Sequence, residues 1–148
     1  MKVVVQKVVK AAVEVEGQTI GEINKGFVLL VGVSQDDDES DVDYLARKIA
    51  KLRIFEDKDG KMNLSLADVK GSILSISQFT LLANTKKGNR PSFTEAAGAE
   101  LGETHYQALN QKLRQVCFTV ETGQFGAHMA VSLTNDGPVT IIIDSKNK

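Results

Sequence analysis

Apolar and polar residues alternate at the amino-terminal end of the chain. Valine or alanine fills most odd positions from Val3 to Val15, with a break at Lys7, and the later even positions are polar. A period of two predicts a long strand with one buried face. Turn residues separate it from two more predicted strands, residues 19–23 and 27–33. The second of these is apolar throughout, which is typical of a strand covered on both faces.

Apolar residues at helical spacing follow these three predicted strands. An acidic run leads into Ser40, and Asp43 three residues later approximates a capping box at a helix start. The run lacks the spacing and the central glycine of an EF-hand loop, so we interpret it as a cap rather than a cation site. A second helix is predicted to begin at Thr94 or soon after, with Gly98 and Gly102 weakening its first turns. The apolar positions of the two helices are Val42, Leu45, Ile49 and Leu52, then Leu101, Ala108, Leu109, Leu113 and Val116.

The remaining segments are predicted to be strands. One runs from Ser72 to Ala83, and two more are indicated at residues 118–122 and 127–133. A turn at residues 135–137 then leads into a last strand at residues 139–143. Each element must bury its apolar face, so the pattern predicts an α+β fold. We expect a layered β/β/α single domain over residues 1–148, with a mostly antiparallel, barrel-like sheet and two main helices.

The composition of the chain excludes several classes of function. The 148 residues carry a formal charge of −1, so a polyanionic partner must be bound by a local patch. A single cysteine, Cys117, excludes an internal disulfide, and with only two histidines a structural zinc site is not expected; we predict no metal and no cofactor. Lysines interrupt the amino terminus, and the longest apolar run, residues 27–31, is too short to cross a bilayer. We therefore predict a cytoplasmic protein without membrane contact.

The polar cluster Ser77-Gln78-Phe79-Thr80 interrupts the apolar Ser72–Ala83 run. Ser77 or Thr80 could be a nucleophile, but the sequence offers no identifiable base to activate either one. Consecutive main-chain N–H groups could instead stabilise an oxyanion, at about 2.7–4 kcal/mol per donor. The alternative is a strand end whose hydroxyl groups face water.

A second unusual backbone feature is Gly137-Pro138. Glycine lets the main chain approach a ligand closely, and an X–Pro bond can be cis. The alternative reading of this segment is an ordinary hairpin turn.

Together these segments resemble the D-aminoacyl-tRNA deacylases, also called the D-tyrosyl-tRNA deacylase family. The resemblance covers essentially the whole chain, with one departure: Lys7 stands where many members have arginine. It is carried by SQFT at 77–80, NDGPVT at 135–140, GNRPSF at 88–93, RIF at 53–55 and GKMN at 60–63.

This resemblance implies a homodimer, with its active site at the subunit interface, that hydrolyses the ester between a D-amino acid and the terminal ribose of tRNA. Ser77, Gln78, Phe79 and Thr80 are then the catalytic pocket floor and oxyanion site. A cis Gly137–Pro138 element, supported by Thr140, enters the partner's pocket and excludes L side chains. The ribose 2′-OH supplies part of the catalysis, and Thr80 is not an obligate nucleophile. Because a glycyl ester has no side chain to exclude, we expect glycyl-tRNA to be cleaved too.

For tRNA contact the candidates are Lys86, Lys87 and Arg90 in the loop after SQFT, with Lys7 behind them; the alternative is that they are simply solvated. Packing roles are favoured for His105, Phe125 and Met129. Two other functions stay open: a non-catalytic β-rich dimer that binds RNA ends or a protein, and a small-ester or peptide hydrolase without RNA dependence.

Overall fold

The computed structural model describes residues 1–116 and 118–148, and within them the chain forms eight strands and two α-helices. Cys117 lies outside the described residues. The strands are β1 (Lys2–Val15), β2 (Gln18–Ile23), β3 (Gly26–Gly32), β4 (Phe55–Glu56), β5 (Met62–Leu64), β6 (Ser72–Ser77), β7 (Val120–Thr122) and β8 (Ala130–Asp144). The helices are α1 (Glu39–Lys51) and α2 (Ala99–Gln115), and a short 3-10 helix spans Phe79–Leu82.

Strand β1 is the centre of the main sheet. Its first half pairs with β3, its second half with β2, and β8 follows it along the other edge, all antiparallel. Helices α1 and α2 are crossover connections, so β3, β6 and β7 run parallel. The sheet curls until β2 approaches β7: a Cβ atom on Gly21 would lie 3.0 Å from the Thr122 carbonyl oxygen. The predicted α+β, nearly closed barrel-like fold with two helices is confirmed.

Two apolar clusters stabilise this sheet. The larger lies between the sheet and the helices and includes Phe27, Leu45 and Leu109, all fully buried. The smaller lies inside the curl and includes Val13, Leu74 and Ile76. The two faces of the sheet are therefore both covered over much of their area, as the apolar β3 sequence predicted.

The prediction of one buried face along the whole of β1 is wrong at Val8 and Val9, although Ala11 and Val13 at later odd positions are buried. Val3 and Val5 belong to the larger cluster, but Val8 is fully buried in the smaller one and Val9 is 51% exposed. The pairing of β1 with β8 shifts register on both sides of Val8. The strand therefore changes the face that it buries as it passes from β3 to β2.

Helix α1 is capped two residues earlier than predicted. The Asp38 carboxylate accepts the Ser40 N–H at 2.9 Å, and the Asp41 carboxylate accepts the Asp38 N–H at 2.8 Å. These two bonds form a capping box around Asp38, so the helix begins at Glu39 and the predicted cap at Ser40 is wrong. Helix α2 begins at Ala99 with Gly98 as its N-cap residue, and its Leu101 is exposed rather than buried.

Two predicted strands are also corrected. The Ser72–Ala83 strand stops at Ser77, and the chain continues into the 3-10 helix. The segment around Gly137 is not a hairpin between two strands, because residues on both sides of it pair with β1. Strand β8 pairs with β1 on both sides of residues 136–139, and these four residues project from it as an outward loop. Among the described residues, no helix is long and apolar enough to cross a membrane.

Candidate active site

A cavity of about 440 Å³ opens at the carboxyl end of β6. Its floor is formed by Ile76, Ser77, Gln78 and Phe79. Its walls come from the start of α2 and from the segment that leads into β8, namely Ala97, Ala99, Phe125, Gly126, Ala127, His128, Met129 and Val131. The structure thus places three of the four residues of the predicted catalytic segment in one pocket.

The end of β6 fixes the pocket floor. Ser77 is the last residue paired with β3, and the Gln78 N–H donates to the Val31 carbonyl at 2.7 Å. The chain then tightens into the 3-10 helix, where the Leu81 N–H donates to the Gln78 carbonyl at 3.2 Å. Within the described residues, the main-chain N–H groups of Phe79 and Thr80 find no acceptor in the protein. Both groups are therefore free to bind a ligand oxygen.

Gly32 allows this turn to pack directly on β3. A Cβ atom there would lie 2.7 Å from Leu82 Cδ2, 3.0 Å from Leu81 Cβ and 3.1 Å from the Gln78 carbonyl oxygen. Any side chain at residue 32 would therefore displace the turn. The position of the free N–H groups depends on this glycine.

Tyr106 supports β6 from the helix side. Its hydroxyl donates to the Ser75 carbonyl at 2.7 Å, and its ring lies 5.9 Å from that of Phe125 on the pocket wall. Burial raises the pKa of the Tyr106 hydroxyl, so it stays a neutral donor at physiological pH. The strand that ends in the predicted catalytic segment is thus held to α2 by a buried hydrogen bond.

One candidate base lines the pocket in the part of the chain that the structure describes. His128 is the one ionisable side chain among the described lining residues, and it is exposed. The Thr80 hydroxyl is exposed and accepts a hydrogen bond from the Gln78 side-chain amide, which is not a base. The site can therefore offer main-chain donors to a substrate far more readily than it can activate a nucleophile.

The outward loop of β8 is closed by Asn135. Its Oδ1 accepts the Val139 N–H at 2.7 Å, while its Nδ2 donates to the Val139 carbonyl at 3.3 Å and to Thr140 Oγ1 at 3.1 Å. Gly137 has φ +136°, which L residues rarely adopt, and the Gly137–Pro138 peptide bond is cis. Both Gly137 and Pro138 are exposed at the tip.

The tip of this loop is not part of the pocket of the same chain, because neither Gly137 nor Pro138 is among the described residues that line the cavity. Ser77 is level with Val3 through β3, whereas the loop departs from β8 between the partners of Gln6 and Val8. Ser77 is three strands and at least three residue steps from the base of the loop, whereas Val131 on the pocket wall precedes Asn135 by four residues on β8 itself. Within one copy, the loop tip therefore lies outside the described lining of the pocket.

Comparisons with known proteins agree with these features. The sequence matches the family described as D-Tyr-tRNA(Tyr) deacylase over residues 4–144. The chain belongs to this family. It is 58% identical to a D-aminoacyl-tRNA deacylase of Lacticaseibacillus casei (strain BL23), over all of both chains. The deacylase assignment, and with it the prediction that the chain is an enzyme, is confirmed.

Solved structures support the same fold for this deacylase. One, described as c-Myc DNA Unwinding Element Binding Protein, has a TM-score of 0.91 and 40% identity, and the match covers 97% of this chain and 98% of that one. Another, described as a probable eukaryotic D-amino acid tRNA deacylase, has a TM-score of 0.82 at 15% identity, with 96% and 97% covered. The second likeness speaks for the fold alone.

The three loop cations predicted to contact tRNA are all exposed in the deacylase. Lys86, Lys87 and Arg90 lie in a loop that is closed where Asn84 and Ser92 exchange hydrogen bonds of 2.8 and 2.9 Å. Phe93, just after this closure, packs edge-on against Phe79 with the ring centroids 5.1 Å apart. The loop is thus attached to the rim of the pocket.

Lys7 is placed differently from the other three. It is 3% exposed, and its Nζ lies 3.8 Å from both the Glu56 and the Asp136 carboxylates and 5.7 Å from the centre of the Phe55 ring. It belongs to the base of the Gly137–Pro138 loop rather than to the exposed basic loop. No sequence pattern indicated this pairing, because Glu56 and Asp136 are distant from Lys7 along the chain.

The structure also places four other side chains. His105 packs as predicted, with its Nε2 3.2 Å from the Asp37 carbonyl oxygen. Phe125 and Met129 each pack against a core cluster and also line the cavity, so the two interpretations are compatible. His128 in the pocket was missed, and its only sequence signal is its position next to Met129 at the start of β8.

Proposed function

We propose that this deacylase hydrolyses the ester of D-aminoacyl-tRNA, and that of glycyl-tRNA, as a homodimer in which each pocket receives the Gly137–Pro138 loop of the other copy. The observation that carries the proposal is that Gly137 and Pro138 are exposed at the tip of an outward loop and are absent from the described lining of the pocket in the same chain. Such a loop can complete a pocket by entering a second molecule. The resemblance to the family implies the same arrangement.

Handedness would be read by main chain. The loop tip presents Gly137 and Pro138, both exposed and held by the three Asn135 hydrogen bonds. A rigid wedge of this kind excludes a side chain on one side of the substrate Cα and leaves the other side open. Because the pocket then ignores which side chain is present, it accepts many D-residues, and glycine as well.

Ester cleavage would depend on the free N–H groups of Phe79 and Thr80. As the carbonyl carbon becomes tetrahedral, its oxygen gains negative charge, which these two donors stabilise. The one candidate base among the described lining residues, His128, is exposed, so we assign part of the activation of water to the 2′-OH of the terminal ribose. In this mechanism Thr80 helps to fix the Gln78 side chain and forms no covalent intermediate.

The loop of Lys86, Lys87 and Arg90 would hold the end of the tRNA. It is attached to the pocket rim through the Phe79–Phe93 contact, so phosphates near the ester come within its reach. Contacts of this kind release counterions, and the affinity for tRNA should fall steeply as salt is raised.

The activity is tested with D-tyrosyl-tRNA and L-tyrosyl-tRNA by following the loss of each ester. We expect fast cleavage of the D-ester and of glycyl-tRNA, and little cleavage of the L-ester. A 2′-deoxy terminal ribose should slow the reaction strongly. Equal cleavage of both mirror-image esters would contradict the proposal, and an undiminished rate on the 2′-deoxy substrate would favour a hydrolase that does not use the RNA.

The shared site is tested by mixing two inactive variants, Gln78→Ala in the pocket and Gly137→Ala in the loop. If subunits exchange freely, half of the dimers are mixed and each has one intact pocket facing one intact loop, which restores about a quarter of the wild-type sites. If each chain used its own loop, the mixture would stay inactive. Size-exclusion chromatography of each variant controls for loss of the dimer.

A further inference from the structure

An exposed cluster of cations lies at the end of α1, far from the pocket. The segment from Leu45 to Phe55 contains four basic residues and no acidic one, in a chain whose formal charge is −1. The four are Arg47, Lys48, Lys51 and Arg53, here called the α1 cation cluster. All four are exposed, and with Leu52 they line one open depression of about 460 Å³.

The charge of this cluster is not neutralised within the described residues. None of the ion pairs found there involves any of its four members. Asp68 is near enough for Arg53 to contribute to its lowered pKa, but hydrogen bonds from Ser65 are the main cause of that shift. The depression therefore presents four positive charges to solvent.

Local structure accounts for only part of the cluster. Lys48 and Lys51 lie in the last turn of α1, where cations interact favourably with the helix dipole. Arg47 and Arg53 lie outside that turn. Arg53 is held by Asn63, whose main-chain oxygen accepts from Nε at 3.0 Å and whose side-chain oxygen accepts from a second nitrogen. Its position is thus fixed while its remaining donors stay available.

The place of the cluster in the fold suggests its ligand. Phe55 stacks on Phe27 at the amino end of β3, with the ring centroids 5.2 Å apart, and Lys7 lies over the same Phe55 ring. The cluster therefore shares the end of the molecule that carries the Gly137–Pro138 loop. In the proposed dimer, this end of one copy adjoins the pocket of the other.

We propose that the α1 cation cluster binds phosphate groups of the tRNA backbone, on the subunit that contributes the loop rather than the subunit that contributes the pocket. Several separate cations around an open depression suit an extended polyanion better than a single small phosphate. This inference rests on the proposed function. It adds a second RNA contact to the basic loop of residues 84–93.

Binding of uncharged tRNA tests the cluster without any catalytic step. For the variant Lys48→Gln/Lys51→Gln we expect the slope of log affinity against log salt to become shallower by about 1.4–1.8, because two phosphate contacts are lost. At low salt the affinity should fall at least tenfold. Lys10→Gln, which removes an exposed cation on β1, is the matched control and should leave the slope unchanged. An unchanged slope in the double variant would overturn the proposal and point to an acidic protein partner instead.

A comparison of substrates of different length provides a second test. With full-length D-aminoacyl-tRNA, the double variant should raise KM about tenfold and leave kcat unchanged. With D-aminoacyl-adenosine, which has no backbone to reach α1, both constants should match those of the wild type. Equal losses on both substrates would mean that the substitutions disturb the fold, and would overturn the assignment. Failure of the proposed function would be recognised separately, as wild-type protein that does not distinguish D-esters from L-esters.

Discussion

The Oδ1 atom of Asn135 lies 2.7 Å from the nitrogen of Val139 and accepts its hydrogen bond across the base of the outward loop. The same side chain donates to the Val139 carbonyl and to Thr140 Oγ1. One amide thus holds both sides of a loop whose tip is Gly137–Pro138. Its removal should affect the loop before it affects the barrel.

Asn135→Ala should therefore lose discrimination between mirror-image esters. We expect the ratio of D- to L-ester cleavage to fall at least tenfold, with a loss of about 1–2 kcal/mol in the free energy of unfolding. Asn135→Asp keeps the acceptor for Val139 but loses both donations, so it should fall between alanine and wild type. Thr134→Ala, at an exposed neighbour on β8, is the control. An unaltered D-to-L ratio in Asn135→Ala would show that the loop is held by other contacts.

Lys7 should matter to the loop more than to stability. Its ammonium is buried, whereas its two carboxylate partners, Glu56 and Asp136, have side chains that are 62% and 48% exposed. Lys7→Met removes the buried charge and leaves two carboxylates that water can solvate, so the free energy of unfolding should change by less than about 1 kcal/mol. The D-to-L ratio should fall because Asp136 is released, and Lys7→Arg should retain it. Thermal melts and paired ester assays separate the two effects; a large loss of stability in Lys7→Met would contradict this reading.

Gly32→Ala should impair catalysis from outside the pocket. The added methyl group would lie within 3.1 Å of Leu82, Leu81 and the Gln78 oxygen. Overpacking of this kind costs about 1–3 kcal/mol, and here the segment that yields carries the free N–H groups. We expect kcat to fall at least tenfold while discrimination against L-esters is kept. Gly98→Ala is the matched control because a Cβ atom there meets nothing within 4 Å; equal activity of the two variants would disprove the role of Gly32.

Asp41 should account for part of the dependence of the free energy of unfolding on acid pH. Burial alone would raise its pKa, but hydrogen bonds from the Asp38 N–H, Ser145 and Lys146 outweigh burial and hold the pKa well below 3.8. A lowered pKa in the folded state means that the stabilisation is complete above about pH 4 and is lost as the pH falls from there toward the folded-state pKa. Asp41→Asn should cost about 1–3 kcal/mol at pH 7. Its deficit should shrink below about pH 4, as measured by urea unfolding across that range; a constant deficit would exclude the linkage.

Local patterns in the sequence predicted most of the elements. The alternation in β1, the apolar β3 and the helical spacing of Val42, Leu45 and Ile49 each reflect burial, which the structure reproduces. The errors fall where one element serves two environments. Val8 and Val9 exchange faces because β1 crosses from one partner strand to another, and no window on β1 alone contains that information.

Only part of the candidate site could be predicted from the sequence, for the same reason. The catalytic segment and the Gly137–Pro138 element could be recognised because each is a short contiguous motif. The contacts that position them could not, since Gly32 and Lys7 act through residues far away in the sequence. His128 reached the pocket through the path of the chain before β8, which no local pattern specifies.

Pocket and loop are separate parts of the chain, and under the proposed pairing this has a genetic consequence. A chain with an intact pocket and a damaged loop would spoil the active site of whichever neighbour it joined, while its own pocket could still be completed by a healthy copy. A mixed pair would therefore keep one working site, built from the damaged chain's pocket and the normal chain's loop, so the number of working sites would equal the number of normal loops whatever the proportion of mixed pairs.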